Sequence, residues 1–539
     1  MTENIDTSPP CRVRSTRRVF PATATKQTTI TKLSILDASV ARFAPCAAIW
    51  LYDASQGVDS RNPILFELLG QALRQTLDLY PHYAGQLQWA TEDLVKGDVN
   101  SRHLGRPVVA YGAAEDPGVE LVIAEDRRDF GTIVPNLQDR ATTKKIWNAT
   151  DFPQDDLLPK AKLAFSNLAN YKGLPGVAVQ LTAFRCGGFA VGVKLTHCLS
   201  DATCLLHVVR LWADRSRQLS QSGQAALPSH SHARPLFDPA QLDRHAGLTG
   251  APEADADKTS KARALPMHRF DWWATDAPGY PEWATASSNA TKPHPQELSA
   301  LRLSPSTSPP WPTWDLAAPV EHVQIYFRAD EITRMKQAAE GSLPEALRGQ
   351  RVSRLDAILA HLWILINRAR QLDGSRDPVY MDITLGLRGR VEPPLPDSFV
   401  GSPLLLAYVA KAGSEVSSAT TIGSIAGSIR QTLSRFTPDA VSAYIHDAAY
   451  EVSPQRLWQG FLGSRHTMVT SWTRARTYEV DFCPGQGLAR YVQAYMPRMD
   501  GLLQIGDLAD TGGFDVSLCL ERESLARLLQ DPMLREFEN

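Results

Sequence analysis

The stretch Val193-Lys194-Leu195-Thr196-His197-Cys198-Leu199-Ser200-Asp201 decides how this chain is read. An apolar strand, Phe189 to Leu195, runs straight into it, and a helix leaves it with Leu205, Leu206, Val209 and Trp212 on one face. Of the 13 histidines, His197 alone has an aspartate four residues on. That spacing by itself is within what chance supplies in a chain of ordinary composition. Its placement adds weight, because strand ends deliver side chains into clefts. Two bland readings stand beside the catalytic one: Asp201 or Ser200 as the cap of the following helix, and His197 as an ordinary loop histidine.

Upstream, Val177 to Phe184 reads as the partner strand, joined through Arg185-Cys186-Gly187-Gly188, a turn with two glycines that predicts a hairpin. Ala47–Tyr52, Pro107–Tyr111 and Val119–Ala124 read as further strands. Pro63 opens a helix in which Ile64, Leu65, Leu68, Leu69, Ala72, Leu73, Thr76 and Leu77 recur at helical spacing. Downstream, residues 228–319 hold 14 of the 37 prolines, yet also Trp272, Trp273, Trp283, Trp311 and Trp314. Disordered segments are poor in aromatics, so this stretch reads as a long crossover packed along the surface. Regular structure resumes with a strand at His322–Phe327. Ser353-Arg354-Leu355-Asp356 then resembles a capping box and opens a helix with Leu355, Ile358, Leu359, Leu362, Trp363, Ile366 and Ala369 on its apolar positions. Val379–Leu385, His466–Trp472 and Phe514–Leu520 read as strands, and Ile422–Phe436 and the residues from Glu523 as helices.

The totals bound the function. The 539 residues are 43% apolar and 21% charged, with a formal net charge of −2, as in ordinary globular proteins. No basic excess suggests nucleic acid as a partner. No run approaches the roughly 20 apolar residues of a membrane span, and Met1–Arg18 lacks the apolar core of a signal peptide. Seven scattered cysteines without a C-x-x-C pair suggest neither a disulfide framework nor a zinc ribbon, and point to a reducing, cytoplasmic setting. H-E-x-x-H, Walker A, G-x-S-x-G and G-x-G-x-x-G signatures are all missing.

Further segments join the first in a pattern. Leu79 to Leu87 (LYPHYAGQL), Gln180 to Phe184 with Cys186-Gly187-Gly188, and the His197–Asp201 segment stand in the first half. Ser353 to Arg370, Arg388-Gly389-Arg390-Val391-Glu392-Pro393-Pro394-Leu395-Pro396 with Gly401, Thr470-Ser471-Trp472, Asp481-Phe482 and Gly512 to Val516 follow in the second. In order and spacing these resemble the BAHD family of coenzyme A-dependent acyltransferases of plant and fungal specialised metabolism. In style the chain is similar to fungal members of trichothecene 3-O-acetyltransferase and hydroxycinnamoyl transferase type. The departures are Ala202 where the family often has glycine, and Cys483-Pro484-Gly485 where it has Gly-Trp-Gly.

The resemblance implies an α/β fold of two chloramphenicol-acetyltransferase-like domains, each a mixed sheet flanked by helices, with the active-site channel between them. The expected layout is a flexible leader over 1–28, an N-terminal acyltransferase domain over 29–227, the proline-rich insertion over 228–319 and a C-terminal acyltransferase domain over 320–539. It implies His197 as general base, and Asp201 as a structural residue paired with an arginine, Arg388 first and Arg390 second. Thr470 and Trp472 are expected near the oxyanion, Trp472 having plain core packing as its alternative. Asp481 and Phe482 are expected as structural support, and Ser353 and Gly401 on the coenzyme A side. Acyl-CoA is the co-substrate and a small alcohol or amine the acceptor, with no metal, no permanently bound cofactor, no nucleic acid or membrane partner, and a monomeric state. Cys198 invites a nucleophile reading, which the family does not require. Two alternatives are a condensation or cyclisation enzyme on the same fold, disfavoured by Thr196 where such relatives carry a second histidine, and a non-catalytic binding protein.

Overall fold

The computed structural model describes residues 9–23, 27–54, 63–99, 102–220, 233–482 and 489–538. Val177–Phe184 and Phe189–Leu195 form the antiparallel hairpin that the two glycines predict, with Ala183 opposite Phe189. Gly187 sits at φ +85° in its turn, a conformation that glycine adopts without a Cβ penalty. The hairpin is the centre of a six-stranded mixed sheet in the order Cys11–Val19, Val119–Asp126, Val177–Phe184, Phe189–Leu195, Cys46–Tyr52, Tyr491–Ala494. Every residue of Cys46–Tyr52 and Val177–Phe184 is buried, which is why they read as unbroken apolar runs rather than as alternating ones. The helices Pro63–Leu77 and Ala202–Ser220 cover this sheet, and the Trp212 indole of the second donates to the Leu69 carbonyl of the first at 2.8 Å.

The second half builds a seven-stranded mixed sheet in the order Leu404–Ala412, Pro378–Gly386, His466–Trp472, Leu502–Asp507, Phe514–Glu521, Val320–Phe327, Ile146–Asn148. The helix Arg354–Ala369 lies at the heart of its core. Ser353 and Asp356 close the expected capping box, satisfying two backbone donors at the helix start. The sequence suggests one apolar face, but 13 of its 16 residues are buried, the condition of a helix enclosed on all sides.

The two sheets trade strands. Tyr491–Ala494, from the last part of the chain, pairs antiparallel with Cys46–Tyr52 in the first sheet. Ile146–Asn148, from the first part, pairs with Val320–Phe327 in the second. An ion pair between the buried Arg140 and the half-buried Asp515 accompanies the exchange.

The first 28 residues depart from expectation where they are described. Cys11–Val19 is no flexible leader but the edge strand of the six-stranded sheet, paired with Val119–Asp126. Its residues are mostly exposed, so no apolar alternation advertised it. The segment 228–319 also does more than cross the surface. It holds the short helices Pro239–Asp243, Ala256–Arg263, Glu282–Asn289 and Pro295–Ala300, and buries Phe270, Trp272 and Trp311 in one cluster with Phe461. No helix of the described residues is long and apolar enough to cross a membrane.

Candidate active site

After Leu195 the chain makes a single tight turn, His197–Leu199, before the helix begins at Ala202. Thr196 anchors the turn, its hydroxyl donating to the Ala164 carbonyl at 2.8 Å. Asp201 ends it with two tasks at once. Its Oδ1 accepts the Cys204 N–H at 2.9 Å, capping the helix. Its two oxygens also take Arg388 Nη1 at 2.5 Å and Nη2 at 3.0 Å. Both side chains are buried. Arg388 Nη2 also donates to the Phe399 carbonyl at 2.9 Å, and the Asp201 N–H donates to the Gly401 carbonyl at 3.2 Å. The cap and the ion pair therefore coexist. Arg390 takes no part, since its Nη1 donates to the Leu433 and Phe436 carbonyls at 3.1 Å each at the end of the Gly423–Ser434 helix.

A second set of contacts, absent from the sequence reading, holds His197 from the other half. The Ser402 hydroxyl donates to the His197 carbonyl, so towards His197 Nδ1, 3.4 Å away, it can only accept. That assigns the ring proton to Nδ1 and leaves Nε2 as the basic nitrogen. The Ser402 N–H in turn donates to Asp37 Oδ1 at 2.6 Å, and the other Asp37 oxygen accepts from Ser34 in a capping box. Burial lifts the Asp37 carboxyl from its ordinary range to about 6 despite these bonds. Gly401, at φ +143°, permits the approach, because a Cβ there would meet Asp37 Oδ1 at 2.9 Å. The Ser34-x-x-Asp37 spacing is a legible capping signal, but its role beside His197 exists only in three dimensions.

His197, Asp201, Thr470 and Trp472 all line one cavity of ≈ 490 Å³, within the range of small-molecule sites. Thr470 and Trp472 share a face of the His466–Trp472 strand, being two residues apart. Burial lowers the His197 imidazole below its ordinary pKa, outweighing the opposite pull of Asp201 and of a hydrogen bond to its own carbonyl. A neutral imidazole with a free Nε2 is suited to accept a proton. The cavity runs between the halves: Arg42, Phe43, Pro45 and His197 come from the first, and Thr384, Leu404, Met468, Thr470 and Trp472 from the second.

The other expected residues lie off this wall. Phe482 is fully buried against Tyr52 and Trp212, and its carbonyl accepts the Ser216 hydroxyl at 2.7 Å. The Asp481 carbonyl accepts from Arg217 at 2.9 Å. Both dock their loop onto the Ala202–Ser220 helix, while Cys483-Pro484-Gly485 lies outside the described residues. Ser353 caps its helix, and neither it nor Gly401 lines the cavity. Cys198 is completely buried and burial pushes its thiol well up, which denies it the thiolate a nucleophile needs. A further cluster went unread in the sequence. Asp382 Oδ2 lies 2.8 Å from His466 Nδ1 and Oδ1 lies 3.1 Å from His268 Nε2, all three residues being buried. The arrangement lets one carboxylate serve two imidazoles.

The profile of the Transferase family matches residues 149–262 and 280–534, and the chain belongs to that family, the BAHD acyltransferases. Among characterised relatives, acyltransferase AFT15-1 of Alternaria alternata is 28% identical over 91% of this chain and 90% of its own. Acyltransferase abl6 of Leptosphaeria maculans is 25% identical over 83% and 81%. The fold is shared with Fusarium graminearum TRI101, solved with coenzyme A and deoxynivalenol, at a TM-score of 0.64 and 15% identity over 94% of this chain and 98% of that one. The chain is thus an acyltransferase of two mixed sheets flanked by helices. The condensation-type and non-catalytic alternatives are not favoured.

Proposed function

We propose that this protein moves an acyl group from acyl-CoA to a hydroxyl or amine of a specialised metabolite by direct transfer, with His197 as general base. The observation that carries the proposal is the setting of His197: on the cavity wall, its Nδ1 3.4 Å from the Ser402 hydroxyl, its pKa lowered by burial. Nε2 takes the acceptor's proton as its oxygen or nitrogen bonds to the thioester carbon. The resulting tetrahedral intermediate carries a negative oxygen, which Trp472 and Thr470 can stabilise through indole N–H and hydroxyl donors. Collapse of that intermediate expels the coenzyme A thiolate, which takes up a proton, and no acyl-enzyme forms. The coenzyme A seen with TRI101 and the acyltransferase names of the relatives support this substrate class.

Asp201 and Arg388 act as positioning residues that fix the turn, with Asp481 and Phe482 supporting the helix behind it. Residues 29–227 and 320–539 serve as the two acyltransferase domains and 228–319 as an insertion. The working form is a cytoplasmic monomer without resident metal or cofactor. The test is acceptor-dependent release of free thiol from a panel of acyl-CoAs, with product mass read alongside. His197→Ala should slow the release by about 10²–10⁴-fold while coenzyme A still binds. Release at an undiminished rate in the variant would overturn the assignment of the base.

A further inference from the structure

An unbroken track of aromatic rings runs along the cavity wall from the His197 imidazole. Phe43 meets His197 edge-on, with ring centroids 5.3 Å apart, and Trp458 lies 4.9 Å beyond Phe43. Trp272 follows at 5.4 Å and Trp311 at a further 5.7 Å. Trp311 then lies 6.2 Å from Trp283 and 6.1 Å from Trp314. All six rings line the same cavity as His197. Trp272 and Trp311 are buried, while Trp283 is 58% exposed, so the track leads from the site of proton transfer to solvent. Its four outer indoles all come from the proline-rich stretch 228–319.

Arg42 stands beside the track, its guanidinium 5.3 Å from the Trp272 ring and its donors spent on the Gln455 carbonyl and the Thr291 hydroxyl. It ties the insertion to both halves and holds the wall in place. A wall of indoles offers broad, polarisable, conformationally stiff faces. A short aliphatic group would touch little of it, and an exposed indole at the rim stays hydrated unless something flat covers it.

Building on the transferase reading, we infer that the group held against this track is large, planar and apolar: an arylated or fused polycyclic carbon skeleton. The insertion is the element that selects it. The skeleton belongs either to the acceptor or to the acyl chain, and the chemistry of recognition is the same for both.

The full-length protein is assayed in two arms. One offers acetyl-CoA with pyrenemethanol, naphthalenemethanol or butanol as acceptor. The other offers cinnamoyl-CoA or acetyl-CoA with one fixed acceptor. In parallel, binding of pyrenemethanol is followed by its own fluorescence anisotropy, which needs no turnover. Trp283→Ala and Trp314→Ala are the variants, since one ring is exposed and the other half-buried, and their melting temperatures report folding. The expected result is a preference for the aromatic partner in one arm that falls roughly tenfold in each variant through KM, about the worth of one lost aromatic pair and its buried area. Pyrenemethanol binding should weaken in step. No aromatic preference in either arm, or a preference and affinity indifferent to both substitutions, would overturn the inference. If no donor turns over but pyrenemethanol binds and the variants weaken it, the aromatic site stands and the transferase reading falls.

Discussion

Replacing Asp201 separates its two roles. Asp201→Asn keeps one oxygen to accept the Cys204 N–H, so the helix cap survives, but it removes the charge and turns an amide donor towards Arg388. Asp201→Ala removes the cap as well. The carboxylate receives two guanidinium N–H groups and both partners are buried. Leaving one member of such a pair uncompensated costs about 3–5 kcal/mol. Losing an N-cap costs about 1 kcal/mol more. Asn should therefore destabilise by about 3–5 kcal/mol, and Ala by about 1 kcal/mol beyond that. Arg388→Met should cost a similar amount alone. In the Asp201→Asn, Arg388→Met double variant the penalties should fall well short of their sum, because no unpaired charge remains. The assay is urea unfolding of the parent and the four variants under one condition, with kcat/KM measured in parallel, since the same pair fixes the turn that carries His197. Strict additivity in the double variant, or an Asn variant as stable and active as the parent, would refute the reasoning.

His197→Ala should lower kcat/KM by about 10²–10⁴-fold, the usual contribution of a positioned base, with the melting temperature little changed because the ring borders a cavity. Steady-state kinetics with calorimetry checks both halves of that statement. Cys198→Ala should keep turnover within a small factor and stay acceptor-dependent, because the thiol is buried and held protonated; loss of activity in a folded variant would reopen the nucleophile reading. Acid should destabilise the fold. Burial lowers His82 and His103 to about 3 and His322 and His361 to about 4, so below pH of about 6.5 the unfolded chain takes up protons that the folded chain refuses. Each such histidine then removes up to about 1.4 kcal/mol per pH unit as pH falls towards its folded pKa. Asp37, raised to about 6, works the other way, since it gains its proton first in the folded state, and so do Asp116, Asp243, Asp507 and Asp515, all raised by burial. Burial also lowers His197, His245 and His466, which adds to the loss. Melting temperature measured from pH 7 down to 4.5 should fall, and a flat or rising curve would contradict these histidine environments.

The sequence by itself determined the strand, turn and helix around His197, the hairpin before it and the capped helix after Ser353. Each is written in local signals: an apolar run ending at a polar cluster, two glycines in a turn, a serine and an aspartate three apart. The order of segments along the chain also carried the family. Tertiary structure alone decided the rest. Cys11–Val19 and Tyr491–Ala494 are strands because a partner edge supplies their hydrogen bonds, and such pairing leaves little periodicity in the strand that joins. Asp201 reads as a cap within its own segment, and it becomes an ion pair only because Arg388, 187 residues later, is folded onto it. The same holds for Asp37 and Ser402 behind His197, and for the tryptophans of 228–319. Composition marked them as unlikely in a disordered linker, but only packing across the two halves turned them into a cavity wall. Local patterns encode what a segment does with its own backbone, whereas a site assembled from distant segments is fixed by burial and pairing energies that appear once the sheets have met.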